Sequence, residues 1–312
     1  MKKRVLVTGG AGYIGSILVP DLLKRDYYVT VLDNFMYSQN SLLNVCNNKN
    51  LKIINDDVRN IEIFKKLINQ NDIIIPLAAI VGAPACDKDL NLSKEVNQEQ
   101  IEFISESSSN DQIIIYPVTN SGYGIGQKEV MCTEETPLNP ISHYGKTKVA
   151  GERSLLESGN AVTLRLATVF GVAPRMRTDL LVNDFVYRAF KDRFIVLFES
   201  HFKRNFIHIR DVSSVFLHAI DNYHSMNRNA YNVGLSNANL SKMELCQKIK
   251  IFLPDFHIFE SDIAKDPDKR DYIVSNVKIE STGWLPKFDL DQGINELVKA
   301  YSFIKLNNLN NL

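Results

Sequence analysis

The stretch that decides the fold of this chain is Thr8-Gly9-Gly10-Ala11-Gly12-Tyr13-Ile14-Gly15, between a β-branched run, Arg4–Thr8, and an amphipathic segment, Ile14–Lys24. A glycine at position 9 permits a tight turn, one at 12 lets the backbone approach a ligand, and one at 15 lets the following helix pack closely on the sheet. The N-terminus of that helix would offer unpaired N–H groups and a favourable dipole to a diphosphate. Strand, glycine loop and helix together predict a dinucleotide-binding unit.

An acidic residue follows the second β-branched run. Asp33 comes 18 residues after Gly15, next to Asn34, at the end of the predicted strand Tyr28–Leu32. Its carboxylate can accept hydrogen bonds from both hydroxyls of a ribose, whereas a 2′-phosphate would meet its negative charge. We therefore expect the cofactor to be NAD rather than NADP.

Alternating β-branched runs and amphipathic segments continue through the first half, which is typical of βαβ units and a parallel sheet. The predicted strands are Arg4–Thr8, Tyr28–Leu32, Leu51–Asn55, Asp72–Pro76, Gln112–Pro117 and Ala161–Leu166. The fold class is therefore α/β, a doubly wound parallel sheet of the Rossmann type with a smaller C-terminal α/β domain. We expect an NAD-binding domain over 1–170 with about 207–235, and a substrate domain over about 171–206 and 236–312. The last residues, 307–312, are expected to fray.

Composition bounds the function classes. Of 312 residues, 45% are apolar and 23% charged, as in ordinary globular proteins. Lys plus Arg and Asp plus Glu both number 36, so no basic excess favours nucleic acid or an anionic membrane. No apolar run approaches the length of a membrane span, and the charged N-terminus enters a strand instead of a signal-peptide core. We expect a cytoplasmic protein that binds neither nucleic acid nor membrane.

The four cysteines are far apart and form no Cys-x-x-Cys pair; they are Cys46, Cys86, Cys132 and Cys246. This spacing predicts buried free thiols in a reducing compartment, not disulfides or metal ligands. We expect no metal site.

A tyrosine and a lysine four residues apart mark a candidate catalytic centre. Tyr144 and Lys148 open a segment of helical periodicity, so they share one helix face. A phenol with a pKa of about 10 is protonated at neutral pH, and a neighbouring ammonium stabilises its phenolate. Tyr144 is then the acid/base that takes the proton of a sugar hydroxyl while the C–H bond of the same carbon gives up hydride, and Lys148 lowers the pKa of Tyr144 and holds the cofactor's ribose. On an arbitrary helix such a pair is usually solvated, but its place downstream of the glycine loop and five strands favours catalysis.

The spacing Gly-x-x-Gly-x-x-Gly resembles the extended short-chain dehydrogenase/reductase family, which includes NAD-dependent sugar-nucleotide epimerases and dehydratases. The resemblance covers essentially the whole chain. It implies that Asp57-Val58 holds the adenine and that Leu77-Ala78-Ala79 lines the cofactor, although Pro76 stands where the family commonly has His. The residues expected to bind NAD are Gly9, Gly12, Tyr13, Ile14, Gly15, Asp33, Asn34, Asp57, Val58, Leu77, Ala78, Ala79, Tyr144 and Lys148.

A third catalytic hydroxyl follows from the same resemblance. The run Ile115–Gly124 is similar to the family's strand-end motif that finishes Tyr-Gly, which places the hydroxyl that bonds the reacting oxygen on Thr119. The family's 4,6-dehydratases have Asp and Glu directly afterwards, where this chain has Asn120 and Ser121, expected to contact substrate. Neither side chain can act as a carboxyl acid or base, so dehydration is disfavoured. Simple oxidation at C4 and epimerisation through a 4-keto intermediate both stay open.

The second half contains the expected substrate residues. The run Arg204–Val212 is similar to the family's Arg-x-Phe-Ile-His-Val-x-Asp-Val, whose first arginine reaches the diphosphate of a nucleotide sugar. A guanidinium suits that role because its forked donors match phosphate oxygens. Arg270 matches the second diphosphate arginine, and Asn183 falls where relatives have a substrate-binding side chain. His208 is expected to be structural.

Five runs look especially like the GDP-heptose 4-dehydrogenases of bacterial surface-polysaccharide pathways: Thr119–Gly126, Arg165–Arg175, Leu180–Arg188, Phe194–Glu199 and Asp266–Asn276. We therefore expect NAD-dependent oxidation at C4 of a nucleotide-activated sugar, with 4-epimerisation as the alternative. A regulator that binds dinucleotide without turnover would have a damaged catalytic triad, and this triad is intact. The family usually dimerises through two helices beside the active site, here Ser93–Ser107 and Ser142–Leu156, so a homodimer is expected.

Overall fold

The structure, a computed structural model, describes residues 2–38, 40–261 and 270–304. The strands are β1 Arg4–Thr8, β2 Tyr28–Asp33, β3 Leu51–Asn55, β4 Ile73–Pro76, β5 Ile113–Thr119, β6 Met131–Cys132, β7 Ala161–Leu166, β8 Thr168–Phe170, β9 Phe194–Leu197, β10 Lys203–His208, β11 Asn229–Val233, β12 Asn239–Ser241, β13 His257–Glu260 and β14 Ile273–Val274. The α-helices are α1 Gly15–Lys24, α2 Ile61–Gln70, α3 Ala83–Lys88, α4 Leu90–Lys94, α5 Gln100–Ser107, α6 His143–Ser158, α7 Leu181–Lys191, α8 Ile209–Asp221, α9 Tyr223–Met226, α10 Lys242–Phe252, α11 Val277–Glu280 and α12 Leu290–Tyr301.

A seven-stranded parallel sheet in the order β11-β7-β5-β4-β1-β2-β3 forms the centre of the molecule. Its inner strands are β-branched and buried on both faces, as a parallel sheet covered by helices requires. The chain moves outward from β1 through β2 to β3 and then returns to place β4 on the other side of β1. This reversal opens a crevice at the carboxyl ends of β1 and β4, where ligands bind in such sheets. The predicted Rossmann-type fold is confirmed.

Chain from the second half completes this sheet and also builds a second layer. Strand β11 pairs with β7, with Tyr231 opposite Leu164. Smaller sheets, β12-β10-β8, β13-β9 and β14-β6, lie beyond it. A separate hydrophobic cluster is buried among α7, α10 and α12; it includes Val182, Val186, Leu245, Ile249, Ile294 and Leu297. The division into two domains stays a prediction.

Helix α6 carries the candidate catalytic pair. Hydrogen bonds hold it at its N-terminus and again at Glu152, about three turns further along. The Ser142 hydroxyl accepts a hydrogen bond from the Gly145 amide, 3.1 Å away, and so caps the N-terminus. Further along, Glu152 is buried and its carboxylate accepts from Arg165 Nε at 3.0 Å and from Thr163 Oγ1 at 2.8 Å. These bonds join α6 to β7, so the helix is held in a set orientation over the sheet.

Of the twelve ends of the six predicted strands, eight coincide with the observed ends and four differ by one or two residues. The prediction that all four cysteines are buried is wrong for Cys46. Its side chain is exposed, because the turn Leu43–Val45 before it lies on the surface, whereas the other three thiols are buried. All four are free. The predicted fraying of 307–312 lies outside the described residues. Within 2–38, 40–261 and 270–304, no helix is long and apolar enough to cross a membrane.

Candidate active site

One large cavity of about 1120 Å³ opens at the carboxyl edge of the parallel sheet. The glycine loop and the ends of β2, β4 and β5 form one wall, and residues from the second half of the chain form the other. The cavity therefore lies between the sheet and the smaller layer, over the crevice made by the reversal of strand order.

The glycine loop leaves no room for side chains. Gly9 has a φ of +63°, and a Cβ there would lie 2.6 Å from the Ala78 amide nitrogen. A Cβ on Gly15 would collide with the carbonyl of Gly10, so this glycine allows the loop itself to close, not the helix-to-sheet packing expected from the sequence. The backbone thus forms a tight cradle at the N-terminal end of α1.

Asp33 ends β2 and faces this cradle. Its two carboxylate oxygens accept hydrogen bonds from the Ala11 and Phe35 amides at 2.9 and 2.8 Å. Burial raises its pKa. Because each oxygen keeps a second lone-pair direction, the carboxylate can still accept from a ribose in the cavity.

A polar chain crosses the ends of β2 and β3. Asn34 Nδ2 donates to Asp57 Oδ2 at 2.9 Å, and Arg59 Nε donates to Asp57 Oδ1 at 2.9 Å. The hydrogen bonds from Arg59 are the main reason that the pKa of Asp57 falls to about 2. Sequence reasoning missed Arg59. The remaining predicted cofactor residues, Val58, Leu77, Ala78 and Ala79, also line the cavity.

Tyr13 has a different role from the other loop residues. It lines the cavity, but its buried hydroxyl donates to the Gly171 carbonyl at 2.6 Å. Gly171 follows β8 and begins the loop that leads to α7. Tyr13 therefore ties the glycine loop to the opposite wall, a long-range contact that its place in the motif could not show.

The structure brings Thr119, Tyr144 and Lys148 to the same cavity. Thr119 lies at the end of β5, and its Oγ1 accepts a hydrogen bond from the Ser121 amide at 3.1 Å. Burial raises the pKa of Tyr144 to about 12, against the opposing effect of Arg177, Arg270 and Thr119.

Lys148 is buried in the wall of the cavity. Its side chain is 4% exposed, and Nζ lies 4.0 Å from the centre of the Tyr116 ring. Burial lowers its pKa to about 7.

Two predicted substrate residues line the far end of the cavity, and three do not. Arg204 and Arg270 both face it, and Arg204, 3% exposed, lies 5.5 Å from the ring centre of Tyr272. Asn120, Ser121 and Asn183 are buried behind the wall.

Local hydrogen bonds account for the positions of Ser121 and Asn183. The Ser121 hydroxyl is bonded to the Thr119 hydroxyl at 2.9 Å. The Asn183 amide oxygen accepts from the Gly171 amide at 3.0 Å, and its nitrogen donates to the Arg177 carbonyl at 2.8 Å. Asn120, 1% exposed, has no hydrogen-bond partner for either amide atom within the described residues.

The loop between β8 and α7 supplies residues that sequence reasoning missed. Arg175 lies 4.5 Å from the ring centre of Tyr37, and Arg177 donates from Nε to Asp179 Oδ1 at 3.2 Å. All four line the cavity. Two arginines in a mostly apolar loop could have indicated a binding site in the sequence. Only the fold shows that this loop crosses to face the glycine cradle.

Comparison with known proteins agrees with this geometry. Residues 5–234 match the family described as the NAD dependent epimerase/dehydratase family. The chain belongs to this family.

Three named relatives align with nearly the whole chain. The low-salt glycan biosynthesis protein Agl12 of Haloferax volcanii is 27% identical, over 95% of this chain and 98% of its own length. The dTDP-D-glucose 4,6-dehydratase of Mus musculus is 26% identical, over 96% of this chain and 88% of its own. The UDP-glucose 4-epimerase of Thermus thermophilus, solved in complex with NAD, superposes with a TM-score of 0.82 at 25% identity, over 96% and 99% of the two chains.

The cavity fits the cofactor of this family. A Cβ would fill the cradle at Gly9, and Gly12 is closely approached by the Gly9 carbonyl, so the bare backbone is available to a diphosphate. Asp33 is placed for a ribose at the end of β2. The expectation of NAD as the cofactor is confirmed.

Proposed function

We propose that the chain catalyses NAD-dependent oxidation at C4 of a nucleotide-activated sugar, with a GDP-heptose as the specific candidate, in surface-polysaccharide biosynthesis. The observation that carries the proposal is the placing of Thr119 and Tyr144 in one cavity with the glycine cradle, while Arg204 and Arg270 face its far end. Two arginines suit the diphosphate of a nucleotide sugar. The similarity to Agl12, a glycan biosynthesis protein by name, supports the pathway class.

The reaction needs one proton and one hydride to leave the substrate carbinol. Tyr144, in its deprotonated form, takes the hydroxyl proton, and Thr119 hydrogen-bonds the oxygen as it becomes a carbonyl. Bound NAD supplies the acceptor for the hydride. Lys148 lies one helical turn from Tyr144, where its Nζ is able to hold a ribose hydroxyl.

Dehydration is disfavoured by the residues after Thr119. Asn120 and Ser121 carry no carboxyl group, and both are buried behind the cavity wall. An elimination of water needs an acid for the leaving hydroxyl and a base for the adjacent proton. The similarity to a mammalian 4,6-dehydratase therefore supports the shared first oxidation and not the second step.

The alternative is 4-epimerisation, favoured by the similarity to the Thermus thermophilus UDP-glucose 4-epimerase. Here the ketone turns in the cavity and receives the hydride on its other face. The same three residues serve both directions, because Tyr144 returns the proton that it took.

The test is incubation of the purified protein with NAD and a panel of GDP- and UDP-sugars that includes a GDP-heptose. Growth of absorbance at 340 nm with one sugar supports net oxidation. A new sugar isomer without that growth supports epimerisation. Tyr144→Phe should lower kcat by about 10²- to 10⁴-fold, because it removes the general base. Wild-type turnover in this variant would contradict the assignment.

We also propose a cytoplasmic homodimer, with Ser93–Ser107 and Ser142–Leu156 at the interface. The two helices already pack side by side, with the Ser105 hydroxyl donating to the Ser154 carbonyl at 3.0 Å. Light scattering on the purified protein tests this, and a mass near the 35.4 kDa of one chain would contradict it.

A further inference from the structure

The loop between β8 and α7 lies directly against the glycine loop. At its start, the Gly171 carbonyl accepts a hydrogen bond from the Tyr13 hydroxyl at 2.6 Å. Further along, the Arg175 amide donates to the hydroxyl of Ser16, in the first turn of α1, at 3.4 Å. Between these two bonds, Ala173 packs with Tyr13 in a buried apolar cluster. The backbone of Arg175 is therefore held at the N-terminal end of α1, where unpaired N–H groups favour a diphosphate.

The side chain of Arg175 reaches from that point to the segment that follows β2. Its Cζ lies 4.5 Å from the ring centre of Tyr37, four residues beyond Asp33, and all three side chains line the cavity. Arg175 is 2% exposed, and burial lowers its pKa to about 10, so the guanidinium keeps its charge near neutral pH. This cation lies on the part of the cavity wall that runs from the N-terminus of α1 to the end of β2.

The cradle has donors for a diphosphate but no charge of its own. Residues 9–15 include no charged side chain, so they can offer only backbone N–H groups to the phosphate oxygens. The second half of the chain brings a guanidinium to the edge of this cradle through Arg175. Burying a cation costs free energy, and an anion bound beside it offsets that cost. The neutral cradle and the buried cation are therefore complementary parts of one anion site.

We propose that Arg175 is a cofactor-binding residue that contacts the diphosphate of NAD from the side opposite the glycine loop, with Tyr37 as the residue that positions its guanidinium. An aromatic ring attracts a guanidinium to its face and so restricts where the charge can lie. The dinucleotide is then held by backbone from the first half of the chain and by a cation from the second. This inference concerns the cofactor alone and does not depend on the proposed oxidation of a sugar.

The test compares ligands that contain a diphosphate with one that lacks it, on full-length protein freed of nucleotide. Calorimetric titration measures the Kd for NAD and for ADP, and an NMR titration of the protein measures the weaker binding of adenosine. Arg175→Met should weaken the binding of NAD and ADP by about 10- to 100-fold and change that of adenosine by less than about twofold. Arg175→Lys should recover part of the loss, because it restores the charge but not the forked donors.

The role of Tyr37 is tested with the same three ligands. Tyr37→Phe keeps the ring under the guanidinium and should bind all of them like the wild type. Tyr37→Leu keeps Arg175 but removes the ring, so NAD and ADP should bind about three- to tenfold more weakly and adenosine should bind as before. A loss for adenosine as large as that for ADP would show that Tyr37 contacts the nucleoside and does not position Arg175.

The matched control is Arg25→Met, which removes an arginine at the other end of α1, from an exposed ion pair with Asp221 outside the cavity. It should leave all three Kd values unchanged. If Arg175→Met binds ADP as tightly as the wild type, or loses adenosine in the same proportion, the inference is wrong. Should Arg175→Met fail to fold, equal ADP affinity in Tyr37→Leu and Tyr37→Phe overturns it. Because the ligands are nucleotides and a nucleoside, this result is separate from failure to find a sugar substrate.

Discussion

The two ends of the cavity are built in different ways. The cofactor end consists of backbone, with Gly9, Gly12 and Gly15 folded so tightly that side chains are excluded, and with one carboxylate, Asp33, at a strand end. The far end, where we propose that the substrate binds, has long cationic side chains from distant segments, Arg204 and Arg270. A backbone site tolerates almost no substitution, whereas a side-chain site can change its ligand by exchanging single residues. This difference suits a family that keeps one cofactor and varies its sugars.

The largest effect should come from a methyl group in the cradle. Gly9→Ala puts a Cβ 2.6 Å from the Ala78 amide at a φ of +63°. We expect NAD affinity to fall at least about 100-fold and the free energy of unfolding to fall by about 2–4 kcal/mol, from overpacking and left-handed strain. Calorimetric titration with NAD measures the affinity, and urea unfolding measures the free energy of unfolding.

Gly283→Ala is the control that separates backbone strain at a positive φ from steric collision of the added Cβ. Gly283 also has a positive φ, +90°, but a Cβ there meets no atom within 4 Å. This variant should lose only about 1–2 kcal/mol of stability and keep its NAD affinity. Equal losses in the two variants would show that the cradle is not sterically closed.

At the other end, Arg204→Met should weaken substrate binding without touching the cofactor. Removing a buried guanidinium from a diphosphate should raise KM for the nucleotide sugar by about 10- to 100-fold, while the Kd for NAD stays the same. Lys203→Met, on the same strand but exposed, is the control and should leave KM unchanged. A parallel rise in the Kd for NAD would mean that the two ends are not independent.

Asp33 tests the preference for NAD. Asp33→Asn removes the charge that repels a 2′-phosphate, so the ratio of NADP to NAD affinity should rise by about tenfold. Asp56→Asn removes a charge from the same wall, after the neighbouring strand β3, and should leave the ratio unchanged. Fluorescence titration with both dinucleotides measures it. An unchanged ratio in Asp33→Asn would place the 2′-hydroxyl elsewhere.

The comparison of the two ends also explains what the sequence could predict. The parallel sheet and the glycine loop follow from local spacing, because strand, turn and helix are consecutive in the chain. Arg175 and Arg177 could not be assigned, because nothing local shows that their loop crosses to face the glycine cradle. The hydrogen bonds of Asn183 to Gly171 and Arg177 could not be predicted either, because a motif position does not say which way an amide points. Lys148 was placed correctly in the cavity, but its charge depends on burial by residues far away in the sequence, such as Tyr116.

Lys148 lines the cavity, and its substitution should give the smallest effect. That effect should appear in the pH dependence of the free energy of unfolding. The pKa of Lys148 is about 7 in the folded chain and 10.5 ordinarily, so between these values the unfolded chain binds more protons. The free energy of unfolding of the wild type should therefore rise as the pH is raised from about 7.5 to 9.5. Its slope should exceed that of Lys148→Met by about 1 kcal/mol per pH unit. Urea unfolding of nucleotide-free protein measures the slopes. Lys146→Met, an exposed lysine on the same helix, should keep the wild-type slope. Equal slopes in wild type and Lys148→Met would mean that the ammonium stays charged in the cavity.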